Sequence, residues 1–412
     1  VTLKVPQSEY FDIMAEDGSE AVSGAQIAKG ESVMFMVHPK AGLVKGNYSD
    51  TLIFSSEEDS EVAAQVTAEV SVKEAQQEQI KAVLLTDATG IDDKSFNAAA
   101  WRGILDFYGD NGTGRGVLYE NITAQSSDDY VPNLKNAAEA DWDLIITTGF
   151  TWADAVEQVA GLYPDQKFII VDVDYLTQRD NLIQYIYEEE QGSYLVGVAA
   201  AEQAKADGIA NPKFGFVGGV SGATITKFEI GYIEGVKSVY PEAEIVDFYV
   251  NDWGNPALAK TAAKSMYDQG VYCIFAAAGG SGLGVIAQAK EERLAGKNVW
   301  AIGVDSDQYE DGVYTDGQSA VLTSMLKMVE NSTVDALNKV AGNKWEGGVV
   351  TQNMANGGVG YAKTNPELKK SALDAADKAA EAILAGTIVV DKTYAAAQAK
   401  GIAPAGLGAI DD

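Results

Sequence analysis

The chain of 412 residues holds one cysteine, Cys273, and one histidine, His38. A single thiol excludes an intrachain disulfide and any multi-cysteine metal site, and a single imidazole removes most histidine-based chemistry, including the commonest general acid. Basic residues are also few: 30 Lys and Arg stand against 60 Asp and Glu, a formal net charge of −30 at pH 7. That balance is too acidic for a general nucleic-acid binder. Long apolar runs are missing. Stretches such as Tyr272 to Ala278 fall far short of the roughly 18 residues that a membrane-spanning helix needs. No internal repeat of fixed period stands out. The chain opens at Val1 with neither Met nor a charged and apolar leader, so a signal segment is expected to have been removed.

What is present is a globular composition, 46% hydrophobic, long enough for two or three domains with real cores. From Glu61 to Lys73 the even positions Val62, Ala64, Val66, Ala68, Val70 and Val72 alternate with Gln65, Thr67, Glu69 and Ser71, the period-two pattern of a half-buried strand. A turn at Lys45-Gly-Asn feeds a second strand, and Ser32 to His38 reads as a third. Residues 1–74 are therefore expected to form a small all-β sandwich, similar to the immunoglobulin-like modules of bacterial surface proteins, followed by a polar linker at 75–80. After Lys81, short β-branched runs alternate with amphipathic segments of roughly 12 to 16 residues, the signature of βαβ units around parallel sheets. Strands are expected at Ala82 to Thr86, Gly116 to Tyr119, Leu144 to Thr147, Phe168 to Val171, Leu182 to Tyr187, Phe214 to Val217, Ile245 to Val250, Cys273 to Ala277 and Val299 to Val304. So many exceed what one simple open sheet usually holds, and two doubly wound lobes are the natural solution. Within residues 81–412, lobe 1 is expected over about 81–187 with a later return segment, and lobe 2 over about 188–304 with C-terminal segments. The chain would cross at Glu188-Glu-Glu-Gln-Gly-Ser.

In open α/β sheets ligands bind beyond the carboxyl ends of the strands. At the first such end lies Thr86-Asp-Ala-Thr-Gly-Ile-Asp-Asp-Lys-Ser-Phe-Asn. Asp87 ends the strand and Gly90 permits a tight turn. Asp92 and Asp93 suit a helix amino terminus, where the macrodipole favours negative charge, and capping explains both. Capping does not explain Phe96 and Asn97, an aromatic beside an amide, which suit a flat ligand. Asn251-Asp-Trp-Gly-Asn-Pro forms a second loop of this kind, with Pro256 placed to open a helix. A lone loop tryptophan is more often lid packing than ligand contact. Paired with Phe96 from the other lobe, however, Trp253 would close a sandwich on a planar base, each aromatic contributing about 0.5 to 1.5 kcal/mol beyond area burial. Further strand ends carry Asp172, the run Gly279-Gly-Ser-Gly-Leu-Gly, and Asp305. The glycine run has neither the Lys-Ser of a phosphate loop nor dinucleotide-binding spacing, which leaves close backbone approach to a ligand. Lys327, at a strand-to-helix junction, reads as a solvated lysine worth about 0 to 1 kcal/mol in a surface pair, or as a partner of Asp305 that fixes hydroxyl groups. Cys273, within Val271-Tyr-Cys-Ile-Phe-Ala, reads as a buried strand thiol, and His38 lies apart from every constellation.

These residues, in this order, resemble the basic membrane protein family of bacterial lipoproteins, the PnrA-like purine-nucleoside-binding components of ABC importers. The resemblance runs from about Lys81 to Val390. It is carried by the Thr86 to Asn97 stretch, Gly149-Phe, Phe168-Ile-Ile-Val-Asp, Gly192-Ser-Tyr-Leu-Val-Gly and Tyr267-Asp-Gln-Gly. It implies a two-lobed, periplasmic-binding-protein-like type I fold closing on adenosine, guanosine or inosine, with no catalytic residues, metal or cofactor. By motif match Phe96 and Trp253 would stack on the base, and Asp87, Asn97 and Asp172 would contact its polar edges. Gly279 would contribute backbone, and Asp305 with Lys327 would hold the ribose. Partners would be the permease subunits of the transporter, with no nucleic acid. The protein would be an extracytoplasmic monomer touching the membrane only through a lipid anchor. Asn255 stands where the family often has aspartate, and Trp253 where many relatives have phenylalanine, so the base preference stays open.

Three other readings compete. The Asp87 region is similar to the calcium-binding start of nucleoside hydrolases, but aligning Gly90 to Asp93 puts Thr86 and Ala88 where two metal-binding aspartates should stand. A cation wanting six to eight oxygens would lose two carboxylates. A sensor or adhesin would present the ligand domain through the β-module. Within transport, riboflavin is the alternative flat ligand, favoured by a deeper and more apolar cleft.

Overall fold

The computed structural model describes residues 1–40, 43, 46–72, 80–109 and 112–402. Apart from Ile80, the expected linker at 75–80 lies outside them. The chain divides into two compact units, Val1–Glu78 and Gln79–Asp412.

In the first unit β4 (Gly46–Ser56) pairs antiparallel with β5 (Ala63–Val72), and β1 (Leu3–Lys4) pairs with the other edge of β4; β2 (Phe11–Ala15) and β3 (Phe35–Pro39) form a separate antiparallel pair. The unit is all-β, in keeping with the expected small module, and its described residues form one sheet of three strands and one of two. Its described core is small: Leu3, Phe11, Ile13 and Leu52, with Phe35 stacked on Phe54 at 5.0 Å. The alternation read in β5 is real as a strand but not as burial. Val62 and Val66 are 51% and 47% exposed, because period two marks one face without supplying a layer to cover it.

The second unit opens with β6 (Ala82–Thr86), α1 (Phe96–Tyr108), β7 (Tyr119–Thr123), α2 (Tyr130–Glu139), β8 (Leu144–Thr148), α3 (Ala153–Leu162), β9 (Lys167–Val171) and β10 (Leu182–Tyr187). β7 starts where the expected strand at Gly116 to Tyr119 was to end. Gly116 takes φ of +79° in a turn, and the strand itself, Tyr-Glu-Asn-Ile-Thr, is a polar edge strand. After β10 comes α4 (Glu189–Ala206), which packs on α5 (Ala223–Val239). Close approach requires glycine there, since a Cβ at Gly231 would lie 2.3 Å from the Glu190 carbonyl oxygen. Then follow β11 (Lys213–Gly218), β12 (Glu244–Tyr249), α6 (Pro256–Asp268), β13 (Val271–Ala277), α7 (Gly282–Leu294), β14 (Trp300–Asp305), the hairpin β15 (Val313–Thr315) and β16 (Gln318–Ser319), and β17 (Val321–Lys327). The chain returns through α8 (Val329–Ala341), which packs on α1, to β18 (Gly348–Gln352). It then crosses once more to β19 (Val359–Tyr361), α9 (Lys370–Leu384) and α10 (Tyr394–Ala399).

Sheet order shows the lobes. One sheet runs β18-β10-β9-β8-β6-β7 and is wholly parallel; the other runs β12-β11-β13-β14-β17-β19, parallel except for β19. Central strands such as β6 and β8 are buried at every position. Helices cover both faces, so these strands read as continuous apolar runs instead of alternating ones. Between the sheets the chain passes at Tyr187/Glu189, Lys327/Val329 and Gln352/Val359, of which the sequence pointed to the first.

Candidate functional site

The carboxyl ends of both sheets meet at one pocket, which encloses about 600 Å³ of empty space with its mouth included, within the range of small-molecule sites. All eight residues singled out from the sequence line it: Asp87, Phe96, Asn97, Asp172, Trp253, Gly279, Asp305 and Lys327. Backbone geometry sets several of them there. Asp172 and Asp305, where β9 and β14 stop, take φ of 69° and 64°, and Asn251 before Trp253 takes 55°. Left-handed backbone costs a non-glycine residue on the order of 1 kcal/mol or more and clusters at ligand clamps, and Asp and Asn adopt it more readily than most residues.

Lys327 is the electrostatic centre. Only 1% of its side chain is exposed, and its Nζ lies 2.5 Å from Asp172 Oδ1 and 2.8 Å from Glu189 Oε1. Glu189, fully buried in the first turn of α4, also pairs through Oε2 with Lys227 at 2.5 Å. Lys227 in turn donates to the Tyr187 carbonyl at 2.7 Å. Negative and positive groups thus alternate from the pocket to the first lobe crossing. The rings of Phe96, Tyr187 and Phe228 surround the ammonium at 5.0, 4.9 and 5.4 Å, a cation–π arrangement. The surface reading of Lys327 is therefore overturned, while Asp305 shares the pocket with it and adds to the hold on its charge. Its ion pairs are with Asp172 and Glu189, because the fold brings the start of α4 against the end of β17. Asp305 Oδ2 instead accepts from Ser95 Oγ at 2.5 Å.

Burial governs the titration of these groups. It pushes the Asp305 carboxyl up to about 7, against the pull of Lys327 and Ser95. It likewise raises Asp172 in spite of Lys327. Glu189 feels the same penalty, but two lysines hold it below the ordinary carboxylate value. Burial opposes the charge on Lys327 as well, yet Asp172, Glu189 and Asp305 together keep its pKa above the usual lysine value.

Around this centre, the Asn97 amide is occupied by protein. Its Nδ2 donates to Asp87 Oδ1 at 3.1 Å and Thr89 Oγ1 at 3.0 Å, and its Oδ1 accepts from Thr148 Oγ1 at 2.5 Å. One of its N–H donors thus holds Asp87 and the other Thr89, and the bonds that Asp87 accepts from Thr89 and Asn97 all fall on Oδ1. Asp93 caps α1, accepting from the backbone N–H groups of Ser95, Asn97 and Ala98 at 3.0, 2.8 and 2.9 Å. It also lines the pocket, beyond the capping role given to it, while Asp92 is exposed. Asn255 caps α6 through Leu258 N at 3.1 Å, ahead of Pro256. The ring beside Trp253 is Phe150, with centroids 6.1 Å apart and planes at 67°, whereas Phe96 lies against Lys327. Behind Trp253 is Gly219, where a Cβ would come within 2.1 Å of ring atom Cζ3. Phe150, Thr148, Thr151, Thr224 and Phe228 were not singled out from the sequence. Phe150 alone carried a signal, its position just past the end of β8.

Residues 80–394 match the model of a family described as ABC transporter substrate-binding protein PnrA-like. The chain belongs to this family. It is 37% identical over 315 residues to a CD4+ T-cell-stimulating antigen of Listeria innocua, covering 74% of this chain and 87% of the relative. It is 35% identical over 321 residues to the ABC transporter nucleoside-binding protein BmpA of Lactococcus lactis, covering 76% and 89%. Among solved structures, an ABC transporter solute-binding protein from Aeropyrum pernix superposes with a TM-score of 0.68 at 25% identity, covering 78% of this chain and 96% of that one. The PnrA-like chain is thus a solute-binding protein and not an enzyme. Its ligand is a small molecule, its partners are the permease subunits of an ABC transporter, and its place of work is outside the cytoplasm. Among the described residues no helix is long and apolar enough to cross a membrane.

Proposed function

We propose that the cleft binds a purine nucleoside, adenosine, guanosine or inosine, and delivers it to the permease subunits. The observation that carries this reading is the composition of the pocket. The aromatic rings of Trp253, Phe150 and Phe96 share it with four carboxylates, Asp87, Asp93, Asp172 and Asp305, and one ammonium, Lys327. Aromatic rings suit a flat base. Carboxylates suit the O–H and N–H donors of a neutral sugar-bearing ligand, and each charge-assisted hydrogen bond contributes about 1.5 to 3 kcal/mol. In this reading Trp253 and Phe150 stack on one part of the base and Phe96 on another. Asp87, oriented by Asn97, and Asp172 meet its polar edges, Gly279 offers backbone, and Asp305 with Lys327 takes the ribose. A free base would leave the oxygen of buried Asp305 that Ser95 does not hold without a hydroxyl partner, and be rejected. The nucleoside-binding relative from Lactococcus lactis supports the same ligand class, and a charged floor at Asp305 and Lys327 favours a nucleoside over riboflavin. The protein acts as a monomer, held at the membrane by a lipid anchor.

Calorimetric titration with adenosine, guanosine, inosine, adenine and riboflavin tests this. Micromolar or tighter binding of nucleosides, with Trp253→Ala weakening it about tenfold or more, is the expected result. Binding of riboflavin or free adenine in preference to every nucleoside would overturn it.

A further inference from the structure

The two lobes touch directly at Ser95, and that contact takes an unusual form. Ser95 immediately precedes α1, the position at which a serine hydroxyl normally accepts from a backbone N–H of the first turn. Here the Ser95 side chain makes no capping bond. Asp93, two residues earlier, takes over that work with three accepted backbone N–H bonds, one of them from Ser95 itself. The freed hydroxyl, fully buried, donates instead to Asp305 Oδ2 at 2.5 Å. Ser95 belongs to the lobe built on β6, and Asp305 ends β14 of the other lobe. Asp305 itself takes φ of 64°, and Lys94, the residue before Ser95, takes 58°. Longer part-buried bonds flank this contact, from Ser306 Oγ to the Ser95 carbonyl and from Gln308 Nε2 to the Lys94 carbonyl, both at 3.4 Å, and outside them lies an exposed bond from Arg102 Nη2 to Ser306 Oγ at 2.8 Å.

We propose that Ser95 is a latch between the lobes: its hydroxyl holds one oxygen of the Asp305 carboxylate across the cleft, so the group that meets the ligand also fastens the closed form. Ser95 does not line the pocket, whereas Asp305 does, so Ser95 is a positioning residue that acts through Asp305. The inference rests on the reading of this pocket as the ligand site. A ligand hydroxyl on Asp305 and the Ser95 hydroxyl would share one carboxylate, and each would favour the lobe arrangement that the other needs. A ligand that orders Asp305 is then retained longer than its own contacts alone would allow. Closure of this kind affects dissociation more than association, because encounter takes place with the open form.

The test combines ligand kinetics with a distance measurement. Leu162 on α3 and Leu294 on α7 are 58% and 64% exposed, one on each lobe. Cys273 is buried, so Leu162→Cys and Leu294→Cys supply a dye pair on the full chain. In this background Ser95→Ala should shorten nucleoside residence roughly 10- to 100-fold, the loss of one buried charge-assisted bond, with an unchanged association rate. It should also lower energy transfer between the dyes before ligand is added. Arg102→Met, which removes the exposed bond to Ser306, should change residence by less than about twofold. Parental residence and parental dye distance in Ser95→Ala would overturn the latch. So would an effect confined to association, or an equal effect from Arg102→Met. If the parent binds no nucleoside, the proposed ligand fails. The dye distance in ligand-free Ser95→Ala then still decides the latch by itself.

Discussion

Replacing Lys327 with methionine isolates the buried charge chain. Methionine fills most of the lysine volume among Phe96, Tyr187 and Phe228, so the perturbation is the loss of charge and not a large cavity. Asp172 and Glu189 lose a partner at 2.5 and 2.8 Å, and Glu189 keeps only Lys227. Removing one partner of a buried ion pair costs about 3 to 5 kcal/mol, mostly through the charge left behind. For a unit this large each kcal/mol corresponds to roughly 2 °C or somewhat more, so Tm should fall by about 6 to 10 °C at pH 8. The pH dependence gives the sharper check. Lys327 holds down the pKa values of Asp172, Glu189 and Asp305, so in the variant these carboxyls bind protons to higher pH in the fold than in the parent. A carboxyl whose folded pKa is raised loses its stabilising contribution as pH climbs from the unfolded value toward the folded one. The deficit of Lys327→Met should therefore be greatest at pH 8 and shrink toward pH 5, where protonation neutralises the orphaned groups. Thermal unfolding followed by circular dichroism at both pH values measures it. A loss under about 1 kcal/mol at pH 8, or a deficit that grows on acidification, would refute the account of Lys327 as the counter-charge of this network. Replacing the orphaned carboxylate as well, as in Lys327→Met with Asp172→Asn, should recover part of the lost stability, since Glu189 still has Lys227.

The parent protein should itself lose stability between about pH 4 and 7, because burial pushes Asp305, Glu190 and Glu229 each up to about 7. Native protein then binds protons that the unfolded chain has released, and a Tm that stays level or rises over this range would contradict it. Gly219→Ala should weaken nucleoside binding about tenfold or more, since its Cβ would force Trp253 from the position it holds 2.1 Å away; titration of the variant reads this directly. Cys273 should resist thiol reagents in the native protein and react only on unfolding. Its thiol is fully buried, and burial pushes its pKa well above the ordinary value.

Much of the second unit was legible because its strands are covered on both faces. Such strands appear as unbroken runs like Phe168-Ile-Ile-Val and Cys273-Ile-Phe-Ala, each ending in a polar or glycine residue where the ligand-facing loops begin. Elements that depend on distant partners were not legible. β18 and β19 are short and partly exposed, and each acquires its place by joining a sheet laid down much earlier in the chain. β7, polar and at the sheet edge, carries too little apolar signal to locate its start. In the site, residue types at strand ends named eight lining residues, yet they did not reveal how those residues pair. Lys327 could be matched with any nearby acid until the fold set α4 against the end of β17. Phe96 and Trp253 looked like two sides of one sandwich until Phe150 stood beside the indole.

The sequence by itself determined the α/β class, the two-lobed organisation and the positions along the chain where chemistry gathers. These follow from hydrophobic periodicity and turn residues, which act over a few neighbours. Only the tertiary structure decided which carboxylates share Lys327, why Ser95 leaves its helix to reach Asp305, and which ring lies beside Trp253. Such pairings depend on distances between residues far apart in the chain, and burial, which sets their energies, exists only once both lobes have formed.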